Sequence, residues 1–337
     1  MNKDDEVAAV PAIAPGDPLP PWCVPLWDGL AARAAGGTLP HALLVCGPAG
    51  LGKRALVDAF VRARLCDTPR DGRACGSCRA CNLLAAGTHP DRMLVTVEPN
   101  PKTGAMRREI VVDQIRGLSA HLAMASQLGG WQVAVIDPAD EMNPPSQNAL
   151  LKTLEEPTRA SLIVLVANQP WRLSATIRSR CQRVEFAMPA RDESLSWLQA
   201  RGVEQAEAVL AAAGGNPGAA WLLAEQGGME RRQEVAKDLL ALAAGRAHAR
   251  EVGKAWAADE PRQRLEHAAR LLEGALRARA AGERARFDPG WDDETLATQF
   301  AGANRLRLLL NGPLRGDLAL FEWLDGTAKA AASRREG

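Results

Sequence analysis

At 337 residues the chain exceeds the roughly 250–300 at which one hydrophobic core usually stops growing, so two or three domains are expected. Lys and Arg total 41 against 40 Asp and Glu, a net charge of +1, which excludes a protein that coats nucleic acid by bulk charge and leaves it only local or shared contacts. Hydrophobic residues make up 47% of the chain, yet no apolar run reaches membrane-spanning length and the first residues lack a signal-like core, so a soluble cytoplasmic protein without membrane association is expected.

After a Pro-rich lead, HALLVCG (41–47) reads as a strand ending in Gly, and residues 53–65 place Leu56, Val57, Phe60, Val61 and Leu65 on one helical stripe. Between them Gly47, Gly50, Gly52 and Lys53 fit G-x-x-x-x-G-K. In that loop backbone N–H groups cradle phosphates at a helix N-terminus and the Lys reaches the terminal ones. Arg54, however, stands where a Ser or Thr normally holds Mg²⁺, and a guanidinium has no acceptor lone pair. A Gly-rich turn without ligand competes with the nucleotide reading, and occupancy by ATP or ADP stays open.

Cys66, Cys75, Cys78 and Cys81, spaced C-x8-C-x2-C-x2-C, supply enough soft ligands for a closed tetrahedral Zn²⁺ site. A C-x-x-C redox pair and unliganded core cysteines are the competing readings, though the surrounding segment is polar and turn-rich. A structural Zn²⁺ can supply roughly 10–16 kcal/mol, comparable to a whole domain's stability, so the metal rather than a core would hold this insert together. Cys23, Cys46 and Cys181 lack partner spacing and read as buried hydrophobes.

DRMLVTVEP (91–99) reads as a strand and IVVDQIRGLSAHLAM (110–124) as a helix; WQVAVIDPAD (131–140) and SLIVLVANQP (161–170) are strands separated by the helical SQNALLKTLEEP (146–157). Such alternation predicts a parallel sheet flanked by helices. Asp137 ends a strand as the second half of an ATPase site requires, but Pro138 occupies the place of the glutamate that would activate water. Asp140 and Glu141 lie beyond it. With metal and base both compromised, hydrolysis is not expected. Lys152, Glu155 and Glu156 are spaced i, i+3 and i+4 and read as a salt-bridged helix face. Strand signals stop at Ala187, helical segments follow with a weaker break near 228, and KAAASRREG (329–337) reads as a frayed basic tail.

The phosphate loop, the cysteine insert, NALLKTLEEP (148–157) and TIRSRCQ (176–182) together closely resemble the clamp-loader subunits of bacterial DNA polymerase III, members of the AAA+ superfamily. The resemblance covers nearly all of residues 20–225, with four unrelated motifs in the family's order; the helical remainder matches only in kind. It implies an α/β fold: an AAA+ P-loop parallel-sheet domain over 1–187 with a four-cysteine zinc module at 66–81, a small helical lid over 188–228 and an all-helical collar over 229–337. It also implies a hetero-oligomer whose partners are the motor subunits (gamma and tau), a delta subunit, the sliding clamp and, through the assembly, primer-template DNA.

Ser179, Arg180 and Cys181 resemble the family's Ser-Arg-Cys motif, whose arginine reaches a neighbour's ATP site as a permanently charged planar donor. Taken alone, an Arg at the end of a strand reads as solvated or locally paired. The family's ATP-sensing lid arginine would fall near Gly218, where there is none, and Asn168 falls near its strand-end sensor. Arg54, Pro138 and Gly218 align the chain with the non-motor members, in which Gly47, Gly50, Gly52, Lys53 and Asp137 would be remnants of a nucleotide site. The expectation is a non-hydrolysing subunit that lends Arg180 to an adjacent ATPase. An active AAA+ ATPase with an unusual metal ligand is the alternative. A zinc-dependent DNA-binding module is weakened by balanced charge and 4% aromatic content.

Overall fold

The computed structural model describes residues 19–158, 160–310 and 316–332, so most of the Pro-rich lead and the end of the basic tail lie outside the described residues. Two compact units emerge, one of residues up to Ala200 with Asn216–Ala219, the other of Arg201–Gly215 with Ala220 onward.

The first unit is built on a five-stranded parallel sheet. Its strands are β1 (Ala42–Cys46), β2 (Arg92–Val95), β3 (Gln132–Ile136), β4 (Ser161–Ala167) and β5 (Gln182–Glu185), in the order β2-β3-β4-β1-β5. Every residue of β1, β3 and β4 is buried, as strands covered on both faces must be. Side chains alternate between two cores. On one face Leu43 and Val45 pack with Trp27 and Leu30 of α1 (Val24–Ala35) and with Leu56, Phe60 and Val61 of α2 (Lys53–Leu65). On the other, Leu44, Ile136 and Leu165 pack with Ile115 and Leu118 of α4 (Val112–Ala123) and with Leu150 and Leu154 of α5 (Pro144–Glu155). A short helix α3 (Arg79–Ala85) begins in the cysteine insert and continues beyond Cys81. The fold is the α/β parallel-sheet class expected.

One local expectation needs correction, and one strand was not read from the sequence. Arg180 does not end a strand; it is the last residue of a short helix, α6 (Ala175–Arg180), begun by the Ser174 hydroxyl accepting from Ile177 N–H. The strand that follows, β5, escaped the apolar-run criterion because it is a sheet edge on which only Val184 is buried.

Helix α7 (Arg191–Ala200) completes the sheet unit, where Trp197 meets Trp22 edge-on at 5.2 Å between ring centroids. Next come α8 (Ala206–Ala212) and α9 (Pro217–Glu225), whose first residues belong to the sheet unit. In the second unit α10 (Gly228–Ala243), α11 (Ala249–Ala258), α12 (Pro261–Ala280), α13 (Asp293–Leu309) and α14 (Gly316–Ala332) surround a core centred on fully buried Trp256, Leu239, Leu265, Leu272 and Leu324. No helix among the described residues is long and apolar enough to cross a membrane.

Candidate functional site

The phosphate loop joins β1 to α2, and Gly47, Gly50 and Gly52 all have positive φ (137°, 83° and 88°), a backbone path that side-chain-bearing residues rarely follow. At the start of α2, Lys53 is buried and turned back onto its own loop. Its Nζ donates to the Gly47 and Pro48 carbonyls at 2.7 and 2.6 Å. Burial pushes its ammonium down to about 8, against the opposing pull of Asp140.

Arg54, at the position where the motif would carry a hydroxyl, makes a contact of its own. Its Nε and Nη2 donate to Asp137 Oδ2 and Oδ1 at 2.7 and 3.1 Å, so a fixed cation faces the carboxylate at the end of β3. Asp140, beyond Pro138, is buried and accepts from the Asn168 and Gln169 N–H groups at 3.2 and 2.8 Å; Glu141 is held by Arg172 at 2.6 and 3.1 Å. Both carboxylates that follow Pro138 are thus engaged in local structure. Only the backbone N–H of Asn168 figures in this network.

Gly218, at the start of α9, lies directly on the phosphate loop within the same unit: a Cβ at 218 would come 1.8 Å from the Gly50 carbonyl oxygen. Asn216 secures the approach, donating from Nδ2 to Ala49 O at 2.7 Å and accepting from Ala219 N–H at 3.0 Å. No side chain of any kind fits at 218 in this arrangement, least of all an arginine. Asn216 carries no motif signal beyond its place in GGNPG.

Arg180 is half-exposed at the C-terminus of α6. Nη2 lies 2.6 Å from Glu155 Oε1, and Nη1 donates to Thr176 O at 3.3 Å. Glu155 therefore pairs across helices, not along the Lys152–Glu156 face that spacing suggested. Ser179 donates to Thr176 O at 3.0 Å, while Cys181 is buried in the core beneath the sheet, where burial pushes its thiol up to about 11. The position of α6 is set by a residue that sequence reasoning passed over. Buried Gln147 of α5 donates to Met142 O and Arg172 O at 3.0 and 3.2 Å and accepts from Ser174 N–H at 2.8 Å. One side chain thereby ties the segment after β3 to the N-cap of α6.

Cys66, Cys75, Cys78 and Cys81 converge, with all four Sγ atoms within 4.8 Å of one another. The Cys66–Cys78 and Cys75–Cys81 separations are 3.7 and 3.9 Å. A disulfide requires about 2.05 Å, whereas four sulfurs at about 2.3 Å from a tetrahedral ion stand about 3.8 Å apart. Backbone N–H groups of Cys75, Cys78 and Cys81 donate to the sulfurs of Cys66, Cys75 and Cys78 at 3.3, 3.3 and 3.4 Å, the outer support that thiolate ligands need. The donor set fits a metal ion. Cys23 and Cys46 are buried away from this cluster.

A family model described as DNA polymerase III, delta subunit, matches residues 25–190. A DNA polymerase III subunit delta' from Pseudomonas aeruginosa is 41% identical over 240 residues, 70% of each chain. The chain belongs to the DNA polymerase III delta-prime family. A second member, from Escherichia coli, is 35% identical over 222 residues, 65% of each chain, so the match spans just under two thirds of that relative's length. Among solved structures, a DNA polymerase III gamma subunit-related protein from Thermotoga maritima aligns at a TM-score of 0.46 and 16% identity, covering 91% of this chain and 99% of that one.

Proposed function

We propose that this chain is a non-hydrolysing subunit of a DNA polymerase III clamp loader, which lends Arg180 to the ATP site of a neighbouring motor subunit while the assembly places a sliding clamp on primed DNA. The observation that carries the reading is the two-contact pair of Arg54 with Asp137. A guanidinium occupies the carboxylate that an ATPase would commit to Mg²⁺, Pro138 offers no base, and Gly218 leaves no room for a sensing side chain. Arg180, by contrast, stands at a helix end with its planar fork half-exposed. Its permanent charge suits it to phosphate oxygens on which negative charge develops.

The four cysteines would hold a structural Zn²⁺, whose role is to close the insert; four thiolates leave no open position for chemistry. Partners on this reading are the gamma or tau motor subunits, a delta subunit, the clamp and primer-template DNA. The test is ATP turnover by the purified chain, alone and mixed with its motor subunits. The expected result is background turnover alone and, in the assembly, a DNA-stimulated rate that falls when Arg180 becomes Ala. Turnover by the isolated chain that Lys53→Ala abolishes would establish the active-ATPase alternative instead.

A further inference from the structure

The Arg180 guanidinium is engaged within its own chain, by Glu155 Oε1 at 2.6 Å and by Thr176 O at 3.3 Å. Glu155 is the last residue of α5, where the helix presents the negative end of its dipole. A carboxylate is poorly placed there unless a cation answers it, and Arg180 is that cation. The planar fork that grips a carboxylate is also the one that grips a phosphate, so the two anions compete for the same N–H groups. The side chains are 35% and 48% exposed, which keeps the pair within reach of water and makes it weak and exchangeable.

We propose that Glu155 is a positioning residue that holds Arg180 folded against α5 until the phosphates of a neighbouring subunit's nucleotide displace it. This rests on the reading of Arg180 as a finger acting in trans. In a partly formed interface the carboxylate keeps the guanidinium; in a closed, water-poor one the more highly charged phosphate takes it. Glu155 thereby lowers turnover before DNA engages without opposing it afterwards.

The experiment uses the assembled clamp loader, with ATP turnover measured in the absence and presence of primed DNA for Glu155→Gln, Glu155→Asp, Arg180→Ala and the double variant Glu155→Gln/Arg180→Ala. Glu155→Gln is expected to raise DNA-independent turnover by up to about fivefold at the one site facing this subunit, the factor equivalent to the roughly 1 kcal/mol that an exposed pair can hold, so the total rate of the assembly rises by less. DNA-stimulated turnover should stay near wild type, Glu155→Asp should restore most of the restraint, and the double variant should behave as Arg180→Ala alone. If Glu155→Gln leaves DNA-independent turnover unchanged or lower while Arg180→Ala remains impaired, the restraint is refuted and the finger role stands. A rise that persists in the double variant also refutes it, because Glu155 would then act through something other than Arg180. If Arg180→Ala itself changes nothing, the finger reading falls and the restraint with it.

Discussion

Arg54 and Asp137, 83 residues apart in the chain, meet through two hydrogen bonds of 2.7 and 3.1 Å at the mouth of the phosphate loop. The relationship turns a missing hydroxyl into an occupied carboxylate. Arg54→Ser should undo both changes at once, freeing Asp137 and supplying a metal-binding oxygen. Affinity for Mg²⁺-ADP should rise severalfold, measured by titration with a fluorescent analogue, while hydrolysis stays at background because Pro138 still provides no base for water. ATP turnover by the Arg54→Ser chain alone would show that Pro138 is no obstacle.

Lys53 gives the same loop a pH signature. Its ammonium is lowered by burial from 10.5 to about 8, so between those values the unfolded chain binds the proton more strongly than the folded one. Stability contributed at this position must then rise with pH across the window from 8 to 10.5 and be lowest below pH 8. The full excursion corresponds to about 3 kcal/mol. Lys53→Met removes the titrating group, so urea unfolding of the two chains at pH 7.5 and pH 10 should show the wild type gaining on the variant at the higher pH. A constant difference between them would mean that Lys53 titrates normally in the folded loop.

The sequence exposed what was missing from this site more readily than what had replaced it. Strands β1, β3 and β4 announce themselves because they are buried on both faces and therefore read as unbroken apolar runs. Strand β5 does not, since Gln182, Arg183 and Glu185 are exposed along a sheet edge. The absence of a hydroxyl at 54 and of an arginine at 218 could be read one residue at a time. The Arg54–Asp137 pair and the approach of Gly218 to Gly50 are long-range contacts that no spacing rule encodes. Glu155 illustrates the limit well: helical spacing offered it Lys152 as a neighbour, but the tertiary approach of α5 and α6 gave it Arg180.

The four-cysteine cluster should bind about one Zn²⁺ per chain, measured by elemental analysis, and lose it when Cys78 and Cys81 are both changed to Ala. Loss of the ion should unfold the insert locally, with the parallel sheet retained. A specific reporter exists, because the Arg73 guanidinium of the insert lies 4.8 Å from the centre of the Trp27 ring on α1. Chelation should therefore alter tryptophan emission in the wild type, and less so in a Trp27→Phe variant, with little change in far-ultraviolet dichroism. Collapse of the helical and strand signal on chelation would show that the metal supports the whole sheet unit.

Arg180 separates a structural residue from a mechanistic one most cleanly. Its pair with Glu155 is substantially exposed, so Arg180→Ala should cost the isolated chain no more than about 1 kcal/mol and leave zinc content and subunit assembly unchanged. An arginine supplied in trans is worth on the order of 10³–10⁵ in rate at the site it serves. On the proposed reading that leverage would be confined to the one ATP site facing this subunit, so total DNA-stimulated turnover by the assembly should fall in part and clamp loading should fall further. Arg180→Lys should rescue poorly, since an ammonium keeps the charge but loses the planar fork that can meet two phosphate oxygens together. Site-resolved turnover that stays normal in an assembled Arg180→Ala complex would exclude the finger role, and failure of the complex to assemble would identify Arg180 as a structural anchor between α5 and α6.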